Sequence, residues 1–340
     1  MKKSSILFIS HRGERHQQAA ISAAPEYFDI TMKRSPSKEE VIALLPGKEF
    51  LISERTGDID ADIIAAGKDL RMIQRLGSQT HDIDLDAAKR AGIPVCYWPV
   101  RTCVMVAEHM VLQLLGLAKR LRENMKIVTD AGHWEEGPKH CDEDTFAYNW
   151  SKRENLLGLY ESTVGIVGFG EIGTELSRRL KNYECNILYN KRRQLPDFFE
   201  DDLGIQYTDL DDLLARSDFV CMLLPYFPET EKIVNAAFIN KMKDGACLVS
   251  CGGSGILDES AATNALTSGK LYGVATDTFE WEPVNQESPL LPPARQDDVN
   301  IILTPHTAAG TTAANVNERE NDYTNMLNML NDKPLRFRLV

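Results

Sequence analysis

Short apolar runs alternate with segments of helical periodicity along most of the chain. The apolar runs are rich in β-branched and aromatic residues, which predicts buried strands, and the amphipathic segments between them predict helices. Strands that alternate with helices form parallel sheets covered by helices on both faces. The pattern therefore indicates an α/β fold with doubly wound parallel sheets.

The first third of the chain predicts one small α/β unit. Its strands are expected at 6–10, 28–32, 50–53, 72–76 and 94–96. Its helices are expected at about 15–24, from residue 38 onward, and at 85–91.

A long helix pattern at 104–121 is apolar almost all round. A helix of this kind is buried on several sides. It fits a spine between domains or a contact between two subunits, and the two interpretations are compatible.

A polar, loop-rich stretch at 130–155 carries Trp134, Tyr148 and Trp150. These aromatic side chains either pin the loop or form a wall of an active site. Lys152 and Arg153 lie beside them and either form a positive rim that attracts an anionic substrate or are simply solvated.

A second α/β unit begins near residue 163. Its strands are expected at 164–167, 186–189, 219–223, 247–250, 274–276 and 301–304. Helices fill the gaps between them, and a final helix is expected at about 313–330.

Length and composition bear on the number of domains and on which classes of protein can be excluded. A chain of 340 residues usually forms about two domains. The net charge of −12 argues against nucleic-acid binding, because phosphate contacts need a basic surface. No apolar run approaches the roughly 18 residues of a membrane span, and the apolar run near the N-terminus is too short for a signal peptide.

Seven cysteines are present, and none of them forms a CxxC pair. An odd number without an export signal predicts reduced thiols and a cytoplasmic location. Most of these cysteines are expected to be small core residues. The histidines form no metal-binding pattern, so no metal site is expected.

The strongest local motif is a glycine-rich run that directly follows the apolar strand pattern at 164–167 and opens a helix pattern through residue 180. In this context the run is the fingerprint of dinucleotide binding. The first glycine makes the tight turn, the second lets the backbone approach the pyrophosphate, and the third lets the helix pack closely. The run comprises Gly168, Phe169, Gly170, Glu171, Ile172 and Gly173.

The end of the next strand pattern bears on the choice between NAD and NADP. An acidic residue about 20 positions after the glycines binds the ribose 2′-hydroxyl of NAD, but Asn190 occupies this place. Lys191, Arg192 and Arg193 follow, and arginine suits phosphate recognition. The sequence therefore favours NADP. The alternative is a solvated basic loop, with Asn190 binding NAD through a neutral hydrogen bond.

With these motifs in view, the chain resembles the D-isomer-specific 2-hydroxyacid dehydrogenase family over most of its length. The matching motifs occur in the family's order: Val106-Ala107-Glu108-His109, the glycine-rich turn, Leu224-Pro225 with Pro228-Glu229-Thr230, Leu257-Asp258-Glu259, Asp277 to Pro283, and Leu303-Thr304-Pro305-His306.

The resemblance implies two Rossmann-like or flavodoxin-like domains. A dinucleotide-binding Rossmann domain at 103–307 would be inserted into a discontinuous substrate domain at 1–102 and 308–340. It also implies a homodimer built through the long helix. Leu224, Pro225 and Asp277 would contribute to cofactor binding.

The family transfers a hydride between a nicotinamide ring and the carbon of a 2-hydroxy or 2-oxo acid. An arginine, a glutamate and a histidine usually carry the reaction. His306 matches the histidine, and imidazole suits proton exchange with an alcohol. Glu282 matches the glutamate, and a carboxylate beside imidazole favours its protonated form and orients the ring.

The family's arginine is missing. Counting back from Asp258-Glu259 places it at Gly253, and no cation lies nearby. In the family this residue grips the substrate carboxylate and carbonyl, where a bidentate guanidinium is valuable. Four explanations are open: replacement from elsewhere, with Arg101 the first candidate; a substrate without the usual carboxylate; loss of catalysis; or an engineered change.

Two further segments bear on the substrate. If no guanidinium is needed, the run Gly252–Gly255 offers backbone amides and Ser254 a hydroxyl. The family's substrate loop reads Gly77, Ser78, Gln79 here, with His81 in place of an aspartate. These polar side chains either face a larger or differently functionalised ligand or point outward from a re-formed turn.

The sequence thus predicts an NAD(P)-dependent dehydrogenase or reductase acting on CH–OH groups, with a small hydroxy or oxo substrate of atypical kind. The alternative is a catalytically impaired or non-catalytic NAD(P)-binding sensor or scaffold. Gly253 favours this alternative, and the retained Glu282 and His306 oppose it.

Overall fold

A computed structural model describes residues 3–54, 57–130, 137–144, 148–310 and 318–340 of the chain. It divides into two compact units. The first unit comprises Met1–Val104 and Ala309–Val340, and the second comprises Met105–Ala308. The α/β class predicted from the sequence is confirmed, because each unit is built on a wholly parallel sheet flanked by helices.

The first unit has a five-stranded sheet in the order β2-β1-β3-β4-β5. The strands are β1 Ser4–Ser10, β2 Phe28–Arg34, β3 Phe50–Glu54, β4 Met72–Leu76 and β5 Val95–Trp98. The helices between them are α1 Glu14–Ser22, α2 Lys38–Leu44, α3 Ala61–Ala66 and α4 Leu85–Ala91.

Both faces of this sheet are buried. Alternate residues of β1 enter different apolar clusters: Leu7 and Ile9 pack on one face, and Ile6 and Phe8 on the other. A strand covered on both faces reads as a continuous apolar run rather than an alternating one. This explains why the run near the N-terminus was recognisable as a strand.

The C-terminal segment is helical in two different ways. Glu318–Tyr323 is a 3-10 helix, and α13 covers only Thr324–Leu330. The single helix expected at 313–330 is therefore wrong for 318–323, while 311–317 lie outside the described residues. Side-chain contacts hold the tighter segment, since Arg319 binds Glu54 and the Tyr323 hydroxyl donates to the Ala20 carbonyl.

The second unit has a seven-stranded parallel sheet in the order β12-β11-β10-β9-β6-β7-β8. Its strands are β6 Thr163–Val167, β7 Asn186–Asn190, β8 Ile205–Tyr207, β9 Phe219–Met222, β10 Ala246–Ser250, β11 Leu271–Thr276 and β12 Ile301–Leu303. The remaining helices are α5 Arg101–Ala118, α6 Leu121–Asp130, α7 Glu171–Leu180, α8 Asp197–Leu203, α9 Leu210–Arg216, α10 Ala236–Lys241, α11 Glu259–Thr267 and α12 Leu291–Ala294.

The long apolar helix differs in extent from the prediction at 104–121. Helix α5 begins at Arg101 and ends at Ala118, and Arg120 adopts a positive φ of 46° before α6 begins. By length and composition alone, α5 is apolar enough to cross a membrane, contrary to the expectation that no apolar run approaches the length of a span. One such helix is weak evidence of a span, because a core helix passes the same test, and eight residues of α5 are buried.

All seven cysteines lie within the described residues as free thiols. Cys96, Cys221, Cys247 and Cys251 are buried, so most of them are core residues, as the sequence predicted. Among the described residues, no group of three or more His, Cys, Asp or Glu side chains is arranged to hold a metal ion.

Candidate active site

The glycine-rich turn joins β6 to α7 at the carboxyl edge of the second unit's sheet. Gly168 has a φ of +86°, and a Cβ placed there would lie 2.8 Å from the backbone of Leu223 and Leu224. Only glycine tolerates both this conformation and this approach. A Cβ at Gly173 would lie 3.1 Å from the Phe169 ring, so the helix packs closely on the turn.

Gly170 has the opposite surroundings, since a Cβ added there would meet nothing within 4 Å. It occupies the N-cap of α7, and no side chain caps this helix end. Open space above uncapped helix N–H groups is what a pyrophosphate needs. The geometry of the turn therefore suits a dinucleotide, and the contacts of Gly168, Gly170 and Gly173 with a cofactor stay a prediction.

The end of β7 carries no carboxylate. The Asn190 side chain donates to the Thr208 carbonyl at 2.8 Å, and its backbone carbonyl accepts from the Gly168 amide at 3.0 Å. Arg192 and Arg193 are exposed, whereas Lys191 is half-buried. Burial lowers the pKa of Lys191, and the nearby Glu171 carboxylate opposes this shift.

The residues predicted as the catalytic pair are in contact. The Nδ1 atom of His306 lies 2.6 Å from Oε2 of Glu282. The His306 side chain is 54% exposed, so it remains accessible to a substrate, and Glu282 is 29% exposed. Partial burial opposes ionisation of Glu282, but hydrogen bonds from His306, the Phe279 amide and Ser254 outweigh it and hold its pKa below the ordinary value.

Asp277 is almost fully buried and organises the loop that carries His306. Its carboxylate accepts from the amides of Thr307 and Ala308 at 3.0 and 2.8 Å, and from the Thr304 hydroxyl at 2.6 Å. His109 lies 3.0 Å from the same hydroxyl. Asp277 thus stabilises the loop that carries His306. Cofactor binding by Asp277, Leu224 and Pro225 remains a proposal.

Gly253 stands where a side chain does not fit. A Cβ built on it would lie 2.2 Å from the backbone nitrogen of Tyr226. The Gly253 amide donates to the Leu224 carbonyl at 2.9 Å, which fixes this close approach. The amide of Gly253 is therefore already used, and only its neighbours in the run Gly252–Gly255 remain candidates for backbone contacts to a substrate.

Ser254, predicted to offer a hydroxyl to the substrate, has its hydroxyl engaged within the protein. Its Oγ donates to Oε1 of Glu282 at 2.9 Å. This contact could not be predicted from the sequence, because the two residues are 28 positions apart and meet only through the arrangement of the sheet.

The predicted substrate residues of the first unit follow β4 and β5. Gly77 has a φ of +126° and its amide donates to the Trp98 carbonyl at 2.8 Å. Ser78 is fully buried, and Gln79 is half-buried. Arg101 is exposed at the first turn of α5. Their roles in substrate binding remain proposals.

The loop before β6 is described only in part. Trp134 lies outside the described residues, while Tyr148 is 88% and Trp150 43% exposed. Arg153 pairs with Glu123 of α6 at 2.5 Å, so its charge is partly neutralised rather than contributing fully to a positive rim.

Comparison with known proteins identifies the family. A family model described as D-isomer specific 2-hydroxyacid dehydrogenase, NAD binding domain, matches residues 113–308. The chain belongs to this family. Its match to the NAD binding domain covers both the glycine-rich turn and His306.

Similar proteins support this assignment to the family. The chain is 32% identical to a hydroxypyruvate reductase of Thermotoga maritima over 82% of its own length and 83% of the relative's. It is 30% identical to a D-3-phosphoglycerate dehydrogenase of Archaeoglobus fulgidus over 91% of its length, but it spans only 54% of that protein. Among solved structures, the PH0520 protein from Pyrococcus horikoshii is similar, with a TM-score of 0.57, 26% identity and coverage of 99% and 95% of the two chains.

Proposed function

We propose that this protein is an NAD(P)-dependent oxidoreductase of the D-2-hydroxyacid dehydrogenase type. The observation that carries the proposal is the 2.6 Å contact between His306 and Glu282, in a unit that also holds the dinucleotide turn. An imidazole oriented by a carboxylate is suited to exchange a proton with a carbonyl or hydroxyl oxygen.

The glycine-rich turn at 168–173 would hold the dinucleotide, whose nicotinamide would supply or accept the hydride. The contact through Nδ1 leaves Nε2 of His306 to face the reacting oxygen. In reduction, His306 gives its proton to the carbonyl oxygen, and in oxidation it takes the proton of the hydroxyl. Glu282, ionised because its pKa is lowered, stabilises the imidazolium and fixes its orientation.

We further propose that substrate specificity is atypical for the family. No guanidinium can stand at position 253 with the present backbone, because a Cβ there would lie 2.2 Å from the Tyr226 nitrogen. A substrate is therefore held without the family's arginine, either by a cation elsewhere, Arg101 being the first candidate, or because it lacks the carboxylate.

The test is consumption of reduced cofactor with NADH and NADPH in parallel, across 2-oxo acids, keto-sugars and simple ketones. We expect turnover with at least one class. Turnover of a 2-oxo acid would show that another cation replaces the arginine, and turnover restricted to the other classes would show a changed specificity. Tight cofactor binding without any turnover would favour the sensor or scaffold instead.

We propose NADP as the preferred cofactor. The support is the absence of a carboxylate at Asn190 and the exposed guanidinium groups of Arg192 and Arg193 beside it. Replacing Arg192 with alanine is expected to weaken NADPH binding by roughly tenfold, the value of one charge-assisted hydrogen bond, and to leave NADH binding unchanged. Titration of both cofactors measures this, with Arg216→Ala, another exposed arginine of the same unit, as the control. Equal affinities for both cofactors in the wild type would contradict the preference.

We also infer a homodimer formed through the long helix α5 and the helix α6 that follows it. The support is a set of large apolar side chains that are exposed on α5 and α6, namely Leu112, Leu121, Met125 and Val128. Exposed apolar patches of this kind mark protein contacts. The molar mass in solution decides the oligomeric state.

A further inference from the structure

Three loops of the second unit converge beside the reacting imidazole. Strands β10, β11 and β12 are neighbours in the sheet and run parallel. Ser254 follows β10, Glu282 follows β11 and His306 follows β12. Because the carboxyl ends of parallel strands meet at one edge of the sheet, the three side chains are brought together there.

The Glu282 carboxylate is held by donors on all three loops. Its Oε1 atom accepts from the Ser254 hydroxyl at 2.9 Å and from the Phe279 amide at 3.0 Å. Its Oε2 atom faces His306 at 2.6 Å. Ser254 thus links the loop after β10 to the pair formed by Glu282 and His306.

The loop that presents Ser254 is itself fixed on both sides. The Gly253 amide donates to the Leu224 carbonyl at 2.9 Å, and the Gly255 carbonyl accepts from the Lys232 amide at 2.9 Å. Gly255 has a φ of +86°, and a Cβ there would lie 3.3 Å from the Tyr226 ring. Because the backbone is fixed on both sides of Ser254, the Ser254 hydroxyl has a defined position and can orient the Glu282 carboxylate.

We propose that Ser254 is a positioning residue, whose hydroxyl holds the Glu282 carboxylate in the orientation that His306 requires. The inference rests on the proposed function for its catalytic consequence. This role also accounts for the close approach of the backbone at Gly253. The backbone path that leaves no room for an arginine side chain there brings Ser254 to Glu282.

In the part of the chain that the structure describes, few charged groups lie near the Glu282 carboxylate. His306 is the charged group that acts on its ionisation. The adjacent Glu280 is paired with Lys232 at 3.0 Å. Glu259 of α11 is occupied by the Glu280 amide and the Ser288 hydroxyl. The titration of Glu282 therefore reports chiefly on His306, Phe279 and Ser254.

The test compares Ser254→Ala with Ser254→Thr, which keeps a hydroxyl. Carbon-13 NMR of protein labelled at the glutamate carboxyls follows Glu282, whose signal is assigned by its absence from Glu282→Gln. We expect Ser254→Ala to raise the pKa of Glu282, because one donor to the ionised form is lost, and Ser254→Thr to restore it. Ser268→Ala is the matched control, since its hydroxyl donates to the backbone carbonyl of Ala265, three residues before it.

The kinetic readout separates positioning from substrate contact. For any substrate that is turned over, Ser254→Ala is expected to lower kcat by roughly 3- to 10-fold, the range for one hydrogen bond, with KM unchanged and the acid limb of the pH profile moved to higher pH.

An unchanged Glu282 titration in Ser254→Ala, failure of threonine to restore it, or a rise in KM alone would overturn the proposal. If the wild type turns over no substrate, the proposed function fails, and the NMR titration still decides whether Ser254 positions Glu282.

Discussion

Replacing His306 with glutamine is expected to lower turnover by a factor of about 10² to 10⁴, the usual contribution of a positioned acid–base group. Glutamine can still hydrogen-bond to Glu282, but it cannot exchange a proton with the reacting oxygen. Cofactor affinity is expected to stay nearly the same, because the glycine-rich turn between β6 and α7 is a separate part of the unit. Steady-state kinetics and cofactor titration measure the two effects independently.

The control for this change is His16→Gln, an exposed histidine on α1 of the first unit, which should leave both quantities unchanged. Turnover of His306→Gln within threefold of the wild type would exclude His306 as the proton donor. A large loss of cofactor affinity would show that His306 contributes to binding rather than to chemistry alone.

Gly253→Arg, which would place an arginine where the resemblance to the family implies one, is expected to damage the protein rather than improve it. A Cβ at this position would lie 2.2 Å from the Tyr226 nitrogen and 2.8 Å from its Cβ. Backbone must move to admit any side chain, and overpacking of this kind costs about 1–3 kcal/mol in the free energy of unfolding. For a unit of this size, each kcal/mol lowers Tm by about 2–4 °C.

The movement that admits a side chain at 253 also displaces Ser254 and, through it, Glu282. We therefore expect Gly253→Arg to lower turnover of any accepted substrate as well as Tm. Gly253→Ala isolates the effect of the Cβ, and Gly137→Ala is the control, because a Cβ there meets nothing within 4 Å. An unchanged Tm together with new activity on 2-oxo acids would show that the backbone readily accepts the arginine.

The parts of the site that depend on local motifs could be predicted from the sequence. The turn at Gly168, Gly170 and Gly173 was recognisable because the three glycines have the spacing of the dinucleotide fingerprint and directly follow a strand pattern. Glu282 and His306 were recognisable from the motifs around them, and their contact followed from the resemblance. Strand β1 was clear because both of its faces are buried and its residues 6–9 form a continuous apolar run.

The parts that depend on contacts between distant loops could not be predicted. That position 253 excludes any side chain follows from the place of the Tyr226 backbone, and nothing in the glycine itself reveals it. The network that joins the buried Asp277 to Thr304 and His109 has the same origin. Ser78, whose side chain was expected to face a ligand or solvent, is buried.

Some elements were missed because their sequence signals are weak. Strand β8 has three residues and α3 has six, too few to show a period. The break between α5 and α6 depends on the positive φ of Arg120, and an arginine gives no warning of this conformation. The NADP preference rests on neighbouring charges alone, and the cofactor titration decides it.

The most direct test of the central claim follows the hydride itself. Reduced NAD and NADP carrying deuterium at the transferable C4 position are incubated with the protein and the substrate panel, and the products are analysed by mass spectrometry. The account predicts deuterium on the carbinol carbon of at least one product with the wild type, and its near disappearance with His306→Gln. Cofactor binding without deuterium transfer to any carbonyl compound would contradict the account, as would equal transfer by both proteins.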